Sequence, residues 1–251
     1  MTSKLLLAAA AVLALSTGIA QAKPSPAIVA AVADKARPEA DTKRDADRKP
    51  SEMLEFIGVK PGQTVVDLLP GGGYFTRLFS KAVGSKGLVY AAYPPPRPPQ
   101  DPAKPPPSVA AEVIAADPAF SNVRAVRIAP GAFAVPTAAD AVWTAQNYHD
   151  LKNVKDLDII AFNKSVYAAL KPGGVFVVLD HVANVDTVNP TSTVHRIDPA
   201  VVRKEMEAAG FKFIGESTVL RSTSDDHTKG VFDPSLRGHT DQFIYKFRKP
   251  K

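Results

Sequence analysis

Thr64-Val-Val-Asp-Leu-Leu-Pro-Gly-Gly-Gly-Tyr-Phe-Thr-Arg-Leu-Phe79 decides the fold of this chain. Thr64, Val65 and Val66 are β-branched and lead into Asp67, as in a short buried strand. Pro70 and three consecutive glycines, Gly71, Gly72 and Gly73, break that strand. Phe75, Leu78, Phe79 and Val83 then recur at helical spacing. In a strand, glycine turn, helix unit the backbone comes close to a nucleotide-like ligand, because no Cβ stands in the way. The amides at the start of the helix point at the same space. A turn that only redirects the chain needs one glycine, so three after a proline favour a ligand-binding loop over a structural turn.

Outward from this unit, strands and helices alternate. Ser51 is placed to cap a helix carrying Met53, Leu54 and Ile57, with Gly58 as its stop. Lys60-Pro-Gly-Gln63 then turns into the strand over 64–69. Further strands are expected at 87–92, 123–128, 139–145, 175–180, 211–220 and 242–247, with helices over 109–116, 159–170 and 199–209 between them. Asp198-Pro199 starts the last helix and Gly210 ends it, while Lys171-Pro-Gly-Gly174 closes the one before. No internal repeat is visible. Such alternation argues an α/β fold with a doubly wound sheet that closes in a two-strand pair.

Composition sets the outer limits. Residues 1–22 carry Lys4, an apolar run from Leu5 to Leu15, and Ala20-Gln-Ala22, the pattern of an export signal cleaved before Lys23. The apolar run is short for a membrane span, so no stable span is expected after cleavage. Cleavage removes one Lys and no acid, taking the formal charge from +6 to +5 over 229 remaining residues, enough for one domain. Cysteine is absent, which excludes disulfides and thiolate chemistry. The mild basic excess is scattered among acids and reads as a solvated surface, not a nucleic-acid stripe. A periplasmic or secreted protein fits best. Three segments follow: the signal at 1–22, a polar lead-in of short helices at 23–50, and the main domain at 51–251. Within the domain, residues 94–107 hold nine prolines in fourteen positions, an extended surface excursion or a docking site for a partner.

On several motifs the chain resembles the class I S-adenosylmethionine-dependent methyltransferases, and among them a group of exported bacterial predicted methyltransferases. The carriers are Val65-Val-Asp-Leu-Leu-Pro-Gly-Gly-Gly73, Asn147-Tyr-His-Asp150, Leu170-Lys-Pro-Gly-Gly174, Leu179-Asp-His181, Ala208-Ala-Gly-Phe211 and the segment from Arg237 to Pro250. The resemblance covers roughly residues 40–250. It implies a Rossmann-like seven-stranded sheet of order 3-2-1-4-5-7-6 with strand 7 antiparallel. It also implies S-adenosylmethionine as cofactor, bound through Asp67, Gly71, Gly72, Gly73 and Asn147, with Asp67 near the cofactor amine. Three positions depart from the family pattern, one of them Ala129-Pro130 at the end of strand 3, which lacks the acid the family often places near adenine. Leu69 stands where the first glycine of the usual loop belongs. Tyr90-Ala-Ala-Tyr93 offers no carboxylate at the end of strand 2, where the family holds the ribose hydroxyls.

In doubly wound sheets ligands bind beyond the carboxyl ends of the strands. Asp67, Asn147, His149, Asp150, Asp180 and His181 fall there, and His195 and Arg196 lie in the loop after strand 5. A neutral imidazole can take a proton from a hydroxyl or amine, and a carboxylate beside it fixes its orientation. His181, His149 and Asp180 are therefore the candidate catalytic residues, with His181 foremost. Neighbouring residues leave a strand on opposite faces, so Asp180 is expected to meet a helix cap or His149 and not the His181 ring. Trp143 reads as core, and Asp150 as a cap of the following helix. A metal held by His149, Asp180, His181 and His195 is chemically feasible, but no recognised ligand spacing supports it, and no metal is expected. Arg237 is expected to pair with Asp225 or Asp226 in a surface clasp. The reading is a methyltransferase (EC 2.1.1.-) for a small-molecule substrate, with no nucleic-acid partner. The alternative is a non-catalytic protein of the same fold that binds another ligand or an envelope partner.

Overall fold

The computed structural model describes residues 24–95, 108–129 and 131–251. The expected export signal and most of the proline-rich stretch lie outside the described residues. Seven strands form one sheet: β1 (Thr64–Leu68), β2 (Leu88–Tyr93), β3 (Val123–Arg127), β4 (Ala139–Ala145), β5 (Leu170–His181), β6 (Lys212–Ser217) and β7 (Gln242–Arg248). Their order is β3-β2-β1-β4-β5-β7-β6. β7 runs antiparallel to both neighbours, and every other pair is parallel. The order implied by the resemblance is thus the one observed.

Among the described residues, ten α-helices accompany the sheet. The first four precede β1: α1 (Pro26–Val32), α2 (Glu39–Thr42), α3 (Asp45–Arg48) and α4 (Pro50–Ile57). Then come α5 (Tyr74–Val83), α6 (Ala110–Ala116), α7 (Tyr148–Leu151), α8 (Ile159–Ala169), α9 (Pro190–Thr193) and α10 (Pro199–Ala208). Because side chains alternate along a strand, the sheet buries two separate cores. Val65, Val89, Trp143, Val177 and Ile244 face α1, α4, α5 and α6. Val66, Tyr90, Val142, Phe176 and Phe247 face α7, α8 and α10. Trp143 is core as expected, fully buried with Phe75 at 4.7 Å between ring centroids.

Three local expectations are corrected. Ser51 does not cap α4: Pro50 occupies the first turn and Lys49, in the left-handed region at φ 47°, is the cap residue. A proline already lacks the amide a cap would satisfy, so the chain starts there. Asp150 lies inside α7, and Asp158 is the residue that caps α8, accepting from the amides of Ile160 and Ala161. The Lys171–Gly174 segment does not merely close α8; it is already part of β5, which begins at Leu170 opposite Ala139. Gly58 and Asp198 end and start their helices as read.

Candidate functional site

The glycine loop sits at the carboxyl end of β1. Leu69, Gly71 and Gly73 all take positive φ, at 61°, 53° and 80°. Leu69 therefore adopts the conformation its missing glycine would supply, at a cost of roughly 1–2 kcal/mol for a left-handed non-glycine residue. Asn147 braces the loop: its Nδ2 donates to the Leu69 carbonyl at 2.9 Å and to that of Ala145 at 2.6 Å. The glycines divide the work. A Cβ on Gly73 would stand 2.1 Å from Ile114 Cδ1 in α6, so this glycine serves packing. A Cβ on Gly71 or Gly72 would meet nothing within 4 Å. Those two face a small compartment of about 170 Å³, also lined by Asp67, Arg48, Gln146 and Asn147.

Among the described residues, two charged groups in that compartment, each within reach of the other's field, make no ion pair. Asp67 is buried at the end of β1, and burial pushes its carboxyl up to about 7, against the lowering effects of the Thr76 hydroxyl at 2.6 Å and the nearby Arg48 charge. Arg48, at the end of α3, is brought down to about 10, by burial first and then by Arg44. Its Nη2 donates to Gln146 Oε1 at 2.5 Å and its guanidinium lies 4.9 Å from the Tyr74 ring centre. Among the described residues, no carboxylate pairs with it. Arg44 and Arg48 are spaced i, i+4 across a helical turn, and both line this compartment and the next.

Asp180, fully buried at the end of β5, is a hub. Its carboxylate accepts from the His149 amide, His149 Nδ1 and the His181 amide, each at 2.8 Å. A carboxylate only accepts, so His149 carries its proton on Nδ1 and turns Nε2 outward. Burial opposes protonation of His149, yet the bond to Asp180 and its charge outweigh burial and hold the imidazole above its ordinary value. His181 leaves the strand on the opposite face, as expected, and bonds Thr240 Oγ1 through Nδ1 at 2.7 Å. Burial drives its pKa down to about 4, so it is neutral at ordinary pH. The expected convergence of histidines is observed: the His149 ring centre lies 6.2 Å from that of His181 and 5.5 Å from that of His195.

Three cavities follow one another along this edge. The small glycine compartment shares Arg48, Phe75 and Gln146 with a cavity of about 630 Å³ that holds His181, Phe232, Arg237 and Gln242. On the other side it shares Pro70, Gly71 and Asn147 with a cleft of about 750 Å³ lined by Tyr93, Ala110, Leu151, Asp150 and His195. His149 is behind these walls, not among the residues lining any of the three. The expected clasp is replaced by a different one. Asp225 pairs in the interior with Arg196 (Nη1 to Oδ2 2.9 Å), whose Nε also holds the Lys229 carbonyl at 2.9 Å. Arg237 instead faces the 630 Å³ cavity, because the buried Arg196 outcompetes an exposed side chain for Asp225. Arg44, Arg48, Gln146 and Gln242 were not singled out in the sequence as site residues, and Arg237 was read there only as a surface clasp. Only the i, i+4 spacing of Arg44 and Arg48 signalled anything.

No family model matches the chain. The ubiquinone/menaquinone biosynthesis C-methyltransferase UbiE of Legionella pneumophila (strain Corby) is 32% identical over 127 residues, 51% of this chain and 46% of that protein. The chain thus spans about half the length of the curated relatives it matches. Among solved structures, a SAM-dependent methyltransferase from Aquifex aeolicus superposes with a TM-score of 0.57 at 18% identity, over 84% of this chain and 95% of that one. The 1,6-didemethyltoxoflavin-N1-methyltransferase of Burkholderia thailandensis, solved with its substrate and S-adenosylhomocysteine, gives 0.54 at 15% identity, over 85% and 82%. The fold is therefore that of the class I methyltransferases.

Proposed function

We propose that the protein is an S-adenosylmethionine-dependent methyltransferase acting on a small molecule. The observation that carries this reading is the pair of opposite charges, not joined in an ion pair, beside the open glycines. Asp67 wants a cation and Arg48 an anion, around a compartment of about 170 Å³. The amino-acid end of S-adenosylmethionine is a zwitterion that satisfies both, and Gly71 and Gly72 leave room for its close approach. When bound, the cofactor supplies an electrophilic methyl group on sulfonium. The cleft at Tyr93, Ala110 and Leu151 suits the apolar face of its adenosine portion. The methyl acceptor then occupies the 630 Å³ cavity, where Arg44, Arg48 and Arg237 favour an acceptor bearing negative charge.

Transfer between aligned partners needs little more than positioning. Arg48, Gln146 and Gln242 form a hydrogen-bonded chain across the floor between the two cavities, with Gln146 Nε2 donating to Gln242 Oε1 at 2.9 Å. His181, neutral and held by Thr240, accepts a proton or a hydrogen bond from the acceptor. Asp180 sets the positions of His149 and of the His181 amide. Calorimetry with S-adenosylhomocysteine tests the reading, and absence of heat at millimolar ligand with folded protein overturns it.

A second reading, a binder of another ligand without catalysis, is favoured by the end of β2. There Tyr93, bonded to Glu112, stands where the ribose-binding acid is expected. Such a protein keeps its ligand-induced thermal stabilisation when His149, Asp180 and His181 are each changed to alanine. A methylated product from the unaltered protein excludes it. Residues 1–22 favour export to the periplasm, which detection of the chain in an osmotic-shock fraction checks.

A further inference from the structure

At the far wall of the 750 Å³ cleft Asp150 and His195, to which the methyl-transfer reading gives no part, converge with the ring of His149 behind them. His149 Nε2 is 3.5 Å from Asp150 Oδ1, and His195 Nδ1 is 3.8 Å from the same oxygen. One donor atom from each residue lies within 4.8 Å of the others. We propose that His149, Asp150 and His195 form a binding site for a divalent transition-metal ion of the zinc class, open toward the cleft.

Four features support the site. First, imidazole and carboxylate are the donors zinc prefers, and three protein ligands leave a fourth position for water or a bound molecule. Donors roughly 2.0–2.2 Å from a tetrahedral zinc ion are spaced by a little over 3 Å, so a small rotation of half-exposed His195 closes the set. Second, His149 has the arrangement of a metal-bound histidine. His149 Nδ1 donates to Asp180 at 2.8 Å, which points the Nε2 lone pair at Asp150 and His195. Carboxylate–histidine–metal relays use this outer contact to fix the ring and raise its basicity. Third, Asp150 and Asp180 together bring two negative charges to one buried imidazole, and a divalent cation balances both. Fourth, the backbone is held ready. His195 sits at φ 55°, Arg196 beside it is locked on Asp225 and the Val182 carbonyl, and Phe232 covers the His195 ring at 5.0 Å between centroids.

Asp150 and His195 line the cleft with Gly71 and Asn147, so the open coordination position faces whatever binds there. The inference does not depend on the cofactor, because metal binding is read with no other ligand present. The test is titration of the untagged, metal-stripped full chain with zinc chloride in the presence of a chromophoric chelator, and of a parallel sample with cobalt(II). The expected result is one zinc ion per chain, bound at micromolar or tighter affinity. The cobalt sample should show the intense visible bands of a four-coordinate ion. Asp150→Asn and His195→Ala should weaken binding by more than the roughly 10–100-fold lost with an outer-shell partner. His239→Ala, an exposed histidine far along the chain, should leave it unchanged. Should either site variant fail to fold, X-ray absorption of the zinc-loaded native protein must show two imidazole nitrogens and a carboxylate oxygen. Absence of stoichiometric binding overturns the proposal. So does binding undiminished in both site variants, or an absorption spectrum without two imidazoles.

Discussion

Asp67 makes the site sensitive to pH. Its folded-state pKa of about 7 lies above the ordinary value of 3.8, so its contribution to stability is complete below pH 4 and is lost as pH rises through 7. About three pKa units correspond to roughly 4 kcal/mol as an upper bound. A bound cation reverses the preference, because it favours the ionised carboxylate. We therefore expect affinity for S-adenosylhomocysteine, measured by calorimetry, to rise as pH passes through about 7. Asp67→Asn should flatten both that rise and the decline of thermal stability over the same range. The neighbouring glycines separate packing from binding. Gly73→Ala places a Cβ against Ile114 at positive φ and should cost roughly 1–3 kcal/mol in denaturant unfolding. Gly72→Ala meets open space and should change stability by less than about 0.5 kcal/mol, while still weakening the ligand. The place of Asp67 and of the three glycines at the carboxyl end of β1 was legible in sequence. Their different duties were not, because Ile114 reaches Gly73 from a helix more than thirty residues downstream.

Among the elements, α3 shows where sequence reading stopped. Residues 23–50 were legible as a polar lead-in of short helices, and α1, α2 and α3 are indeed short. Their charge pattern did not reveal that α3 closes the site, since Arg48 turns inward only because Tyr74 and Gln146 receive it. Arg48→Ala should lower affinity for S-adenosylhomocysteine by roughly 10–100-fold, the scale of one charge-assisted hydrogen bond worth about 1.5–3 kcal/mol. An equal loss of thermal stability without ligand would instead make Arg48 a packing residue. At the end of β5 the alternation rule separated Asp180 from His181 correctly. His181→Ala should reduce turnover by about 10²-fold, the lower end for losing an acid–base group, with cofactor affinity little changed. Near-normal turnover in this variant removes His181 from the chemistry. Ser51 misled because serine before an apolar run signals a cap, while Pro50 had already opened the helix.

At the scale of the whole molecule, strand alternation and the glycine loop sufficed for fold class, and the resemblance implied the strand order. The long connection over 218–241 was not legible beyond its polarity, because what holds it is a buried ion pair between residues 29 apart, Arg196 and Asp225. Removing one member of such a pair strands the other charge, so Arg196→Met should cost roughly 3–5 kcal/mol. Hydrogen exchange should show the loss first in 221–238, where Asp225 also accepts from the Asp241 and His227 amides, while β1 and β4 keep their protection.

The position of β7 bears on how the chain is made. β7 follows β6 in the chain yet lies between β5 and β6. Until residues 242–248 leave the ribosome, β5 presents a bare edge of backbone amides and carbonyls, and β6 has no neighbour at all. A nascent chain stalled a few residues short of that point is therefore a template for pairing with another copy of itself. Only β7 silences it.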